Sequence, residues 1–132
     1  MKEFSSVKEA IDFFQGDRFA MVNGMTIDEL GDDWCICSMS LREDHKNANN
    51  TVMGGVMFTL ADFAFAVASN QIHKITVVQN ANINFLSAPK GNKLIAKATC
   101  KKSGRTSTVM IVDITDETGR DVAQYVGTGY KL

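Results

Sequence analysis

The order of apolar and polar positions divides the chain into an opening helix, a hairpin, one very apolar helix and four consecutive strands. Val7, Ala10, Ile11 and Phe14 recur at helical spacing behind a serine pair, and Gly16 ends the run. This predicts a short amphipathic helix within an N-terminal helical segment of residues 1–20. Over positions 21–41 the texture becomes strand-like, in two stretches parted by Gly31, Asp32 and Asp33, as in an antiparallel hairpin. Positions 42–50, rich in Asn and Asp, carry the chemistry of a loop.

From Val56 to Ala68 nearly every side chain is apolar, which predicts a helix buried all round. The remainder reads as four strands separated by turn-forming stretches near positions 89–92, 103–105 and 117–121. Such an order of elements implies an α+β fold in which an antiparallel sheet wraps one long central helix. No repeat or low-complexity linker divides the sequence, so residues 1–132 are expected to form a single domain.

Composition narrows the function classes. Fourteen basic residues stand against fifteen acidic ones, spread along the chain, which provides no footprint for a nucleic-acid backbone or an anionic membrane surface. The opening residues lack the apolar run of a signal peptide, and no segment is expected to span a membrane. A soluble, cytoplasmic protein is the expectation. Cys35, Cys37 and Cys100 match no metal-ligand spacing and read as reduced thiols, so no metal is expected.

Candidate chemistry centres on Asp62, the only charged residue over positions 54–69. Burying a carboxylate without partners costs several kcal/mol, so something must compensate it. If the helix begins at Thr59, Asp62 merely caps free backbone N–H groups. If it begins near Gly55, Asp62 lies about two turns in, facing a cleft as a general base. Gly54 and Gly55 are suited either to a tight turn or to presenting a backbone N–H to a substrate oxygen at a helix start. His45 and His73 read as solvated surface residues.

The stretch from Asn47 to Asn70, with Asn47, the Gly54–Gly55 pair and Asp62, resembles the hotdog thioesterases of the phenylacetic acid degradation (PaaI-like) type. The likeness continues through the strands beyond Ile83. It implies a hotdog fold and hydrolysis of a small or medium acyl- or aryl-CoA thioester, with coenzyme A entering as part of the substrate and no separate cofactor. It assigns Asp62 as base or nucleophile, Gly54 as the N–H donor that polarises the thioester carbonyl, and Asn47 as a holder of carbonyl or water. Met53 stands where many members carry histidine, and Val78 where they carry a serine or threonine on the facing strand. Thr76, on the same strand face as Val78, is a substitute for that hydroxyl.

By the same resemblance, Gly55, Met53, Phe58, Phe63, Thr76 and Val78 are expected to contact substrate, and Lys90 and Arg105 to meet the coenzyme A phosphates. A homodimer or homotetramer is implied, with each site drawing on two chains. Met53 and Val78 leave open a protein that binds acyl-CoA without efficient turnover. A hotdog dehydratase is the weaker rival, because no histidine is suitably paired with an acid.

Overall fold

The computed structural model describes residues 2–132. Two short helices open the chain: α1 (Val7–Phe14), capped by the Ser6 side chain, and α2 (Arg18–Val22), capped by Asp17, whose carboxylate accepts from the Ala20 N–H. A hairpin follows, β1 (Thr26–Leu30) and β2 (Trp34–Ser40), then a loop with one 3-10 turn. The central helix α3 (Gly54–Ile72) precedes the strands β3 (Thr76–Phe85), β4 (Lys93–Ser103), β5 (Ser107–Asp116) and β6 (Asp121–Lys131).

All six strands form one antiparallel sheet in the order β1-β2-β4-β5-β6-β3. Strand alternation turns Cys35, Cys37, Met39, Leu94, Ala96, Ala98, Met110, Val112 and Ile114 toward α3, and all are buried. On β6 the inward positions run Ala123, Tyr125, Gly127 and Gly129. The last two admit the Phe65 ring of α3: a Cβ at Gly127 or Gly129 would come within 2.9 or 2.8 Å of it. This close approach seats the helix against the sheet.

Two expectations need correction. Met21 and Val22, read as the start of the hairpin, belong to α2; the Asp17 cap and the burial of Ala20 outweigh the strand-like texture. The helix buried all round is likewise not so, because α3 leaves an open stripe. Gly55 is exposed, and Phe58, Thr59, Asp62 and Ala66 are half-buried at helical spacing below it. At 19 residues α3 is long and apolar enough to cross a bilayer by length and composition alone, and most of it is enclosed by the sheet.

β3 forms one edge of the sheet, with Val77, Val78 and Phe85 exposed along it and Leu86 just beyond. A ten-residue edge strand carrying exposed apolar side chains is a ready surface for pairing with another strand.

Candidate active site

The site begins with a loop held in shape by its own side chains. The Asn47 side-chain oxygen accepts from the N–H groups of Asn49 and Thr51 at 2.9 and 3.2 Å and from the Thr51 hydroxyl at 3.1 Å. The Asn47 N–H donates in turn to the Thr51 carbonyl at 2.8 Å. Asn47 is therefore the local organiser of the loop, its side-chain oxygen committed and its amide NH2 without a partner among the described residues.

His45, expected in solvent, is buried. Its Nδ1 accepts from the Arg42 N–H at 3.0 Å, which leaves Nε2 to carry the proton donated to Asn23 Oδ1 at 3.1 Å. Its carbonyl accepts from the Met53 N–H at 3.0 Å. Burial and the Arg42 charge hold its pKa below the usual histidine value, so the ring is a neutral bolt between the loop and the turn after α2. A polar loop histidine looks solvated in sequence because the Asn23 partner lies 22 positions away.

Helix α3 starts at Gly54, not at Thr59. The Thr59 hydroxyl donates back to the Gly55 carbonyl at 2.7 Å inside the helix, so the alternative in which Thr59 begins a capping arrangement does not hold. Met53 occupies the cap position and forms no side-chain cap bond. Serine, threonine, asparagine or aspartate normally fills that position and satisfies an orphan N–H. Among the described residues, the N–H groups of Gly54 and Gly55 find no acceptor. The half positive charge of the helix start is thus left uncapped by any side chain among the described residues. The Phe85 ring lies against Gly54, where a Cβ would come within 3.0 Å of it.

Asp62 lies two turns along the open stripe. Its Oδ1 accepts a hydrogen bond from the buried Tyr125 hydroxyl of β6 at 2.9 Å, and Oδ2 has no partner among the described residues. Burial is the main influence on the carboxyl and raises its pKa above the ordinary value; the Tyr125 bond opposes this and the Asp17 charge adds to it. Tyr125 is pushed far above the usual phenol range by burial and by the neighbouring Asp62 charge, so it stays a protonated donor. Phe58 packs edge-on against Tyr125, with ring centroids 5.4 Å apart.

The structure gathers Asn47, Met53, Gly54 and Gly55 at one end of α3, with Phe58 one turn below. Asp62 is eight residues from Gly54, about 12 Å along the helix axis. A thioester carbonyl touching a donor at ~3 Å on one side and a base at ~3 Å on the other spans far less. A single carbonyl is therefore too short to bridge the two groups of one chain by direct contact.

The remaining candidates scatter. Phe63 points the other way, against Phe14, and lines an apolar cavity of about 270 Å³ with Ile11, Met21 and Met25. Thr76 sits past the far end of α3, its hydroxyl donating to the His73 carbonyl at 2.6 Å. Val78 is exposed on β3 beside a register irregularity. Lys90 borders an open polar cleft of about 450 Å³ together with Arg42, Lys46 and the 50–52 loop, near the start of α3. Arg105 follows the last residue of β4 and Lys90 precedes the first, so the 11-residue strand separates them by roughly 33 Å. One chain does not bring both to a single ligand.

A six-stranded antiparallel sheet wrapped around one long helix is the hotdog fold, and the model of the thioesterase superfamily matches residues 49–123. The chain belongs to that superfamily and is a thioester hydrolase. The acyl-coenzyme A thioesterase PaaI of Escherichia coli is 26% identical over 120 residues, covering 90% of this chain and 86% of that protein. The solved structure of E. coli PaaI superposes with a TM-score of 0.88 over 96% of both chains at 23% identity. Human acyl-coenzyme A thioesterase 13 is 33% identical over 93 residues, 67% of this chain and 66% of that one. A Streptococcus pneumoniae thioesterase structure with coenzyme A matches at a TM-score of 0.82 and 27% identity, over 89% of this chain and 94% of that chain.

Proposed function

We propose that the protein hydrolyses acyl-CoA thioesters at a site built from two copies of the chain, Asp62 of one facing Gly54 and Gly55 of the other. The observation that carries this reading is the half-buried Asp62 carboxylate with one oxygen free, about 12 Å along α3 from an uncapped helix start. Neither half suffices alone. A second copy paired along the β3 edge covers Val77, Val78 and Phe85 and supplies the missing half.

In this reading Asp62 Oδ2 takes a proton from a water molecule as the water oxygen bonds to the thioester carbon. The developing oxyanion accepts from the Gly54 N–H of the partner subunit, where the helix start stabilises negative charge. Collapse breaks the carbon–sulfur bond and releases the acid, and the proton held on Asp62 passes to the departing thiolate. The thiolate is a weak base, so no separate acid is required. Met53 leaves the helix start free rather than holding the carbonyl itself. Phe58, beside the Asp62–Tyr125 pair, is the aromatic wall for the acyl group, ahead of Phe63 and Phe65, which pack away from the open stripe. Lys90 is available to the phosphates of coenzyme A, since Arg42 and Lys46 beside it are paired with Asp44 and Glu43. The relatives named for acyl-CoA thioesterase activity and the neighbour solved with coenzyme A support this substrate class.

The test is thiol release from acetyl, hexanoyl, lauroyl, benzoyl and phenylacetyl CoA esters by wild type and Asp62→Asn. Wild-type turnover that disappears in the variant, with ester binding retained, is the expected result. Saturable binding without wild-type turnover, or full turnover in Asp62→Asn, would overturn the assignment.

A further inference from the structure

We infer that Tyr125 is a positioning residue for hydrolysis: its hydroxyl fixes Asp62 through Oδ1 so that Oδ2 alone meets the attacking water. The inference rests on the reading of Asp62 as the base. A buried tyrosine needs a partner for its O–H, and across the interior of the sheet this one finds the only carboxylate of α3, at 2.9 Å. Its ring cannot swing away. It is held between Phe58, at 5.4 Å and edge-on, and Phe65, at 6.2 Å, and it sits on β6 in register with Val112 of β5 and Ile83 of β3.

A carboxylate with two free oxygens samples several rotamers and offers either oxygen. One clamped at Oδ1 presents a single basic lone-pair set along one direction, the preorganisation that a proton transfer in the transition state rewards. The same bond favours the charged form of a group that burial pushes toward neutrality. Two titratable groups face Asp62, Tyr125 from β6 and Asp17 from the turn ahead of α2, and only Tyr125 favours ionisation. The phenol remains protonated throughout the working range, so it donates and never serves as the base.

Tyr125→Phe deletes one oxygen and keeps the ring that Phe58 and Phe65 pack on. Three readouts separate positioning from general support of the fold. In kinetics, kcat falls roughly tenfold with KM nearly unchanged. The acid limb of kcat/KM moves to higher pH, because removing a bond to the ionised form raises the pKa of Asp62. Carbon-13 titration of the Asp62 carboxyl follows the same shift without reference to turnover. Replacing the tyrosines by fluorotyrosine, a stronger donor, moves the limb the opposite way; Tyr130, the other tyrosine, is exposed five residues further along β6, in register with Val77 and Ser107, and strand alternation puts it on the opposite face from Tyr125. An unmoved acid limb and unmoved carboxyl titration in Tyr125→Phe, alongside an inactive Asp62→Asn, would overturn the positioning role and leave the base intact. An active Asp62→Asn would remove the base, and the role of Tyr125 with it.

Discussion

The two ends of α3 are treated in opposite ways by the chain. At the C-terminal end, polar side chains tie off the backbone. Asn70 donates to the carbonyls of Ala66 and Thr76 and accepts from the Thr76 N–H. Gln71, 2% exposed, accepts from the Phe4 N–H at 2.7 Å and donates to the carbonyls of Phe4 and Gly31. At the N-terminal end no side chain among the described residues does the same: Met53 caps nothing, and the N–H groups of Gly54 and Gly55 find no acceptor. Unsatisfied donors weaken a helix, and a fold retains them where they meet a ligand. The helix is therefore anchored at one end and left chemically open at the other.

The sharpest way to break this contrast is Gly54→Pro. Proline is favoured at the first helical position, and Met53 at φ −63° and ψ 136° already has the extended conformation a following proline requires. The exchange deletes one N–H while the helix persists, with the exposed Phe85 ring, 3.0 Å from a Cβ at this position, shifting to make room. We expect kcat/KM to fall about 100- to 1,000-fold with the thermal midpoint nearly kept. Mixing inactive Gly54→Pro and Asp62→Asn chains should restore about a quarter of wild-type activity, since half the dimers are mixed and half of their sites intact. A mixture as inactive as its components would place both groups in one chain.

At the anchored end, Gln71→Ala strands the buried Phe4 N–H and Gly31 carbonyl. It should cost about 2–4 kcal/mol in urea unfolding while activity per folded molecule is retained. Equal losses of activity and stability would mean that the two ends are not independent. The smallest effect is expected from Met53→Asp, which supplies the missing cap. Stability should rise by about 1 kcal/mol, read as a higher melting temperature, while kcat/KM falls because a carboxylate now competes with the oxyanion. A gain in both would show that the open helix start is not used.

The same contrast governs what was legible in advance. Asp62 stood out because a lone charge in an apolar helix demands a partner, and the Gly54–Gly55 pair because it precedes a helix. Tyr125 carried a weaker signal. It lies at an inward position of a strand that continues Gly127 and Gly129, where a tyrosine needs a hydroxyl partner, and the facing helix offers one carboxylate. His45 gave none, since its neighbours in sequence are polar and its partner Asn23 belongs to another element.

The sequence by itself determined the α+β architecture, the apolar central helix and the four-strand tail, and it singled out Asp62 and the Gly54–Gly55 pair as candidates for chemistry, because periodicity and side-chain type are local properties. Only the tertiary structure decided where α3 begins, which oxygen of Asp62 is held by Tyr125, that Thr76 braces the far corner, and that Lys90 and Arg105 stand at opposite ends of β4. Those facts depend on where each element begins and ends and on how the sheet packs against the helix, which local periodicity does not specify.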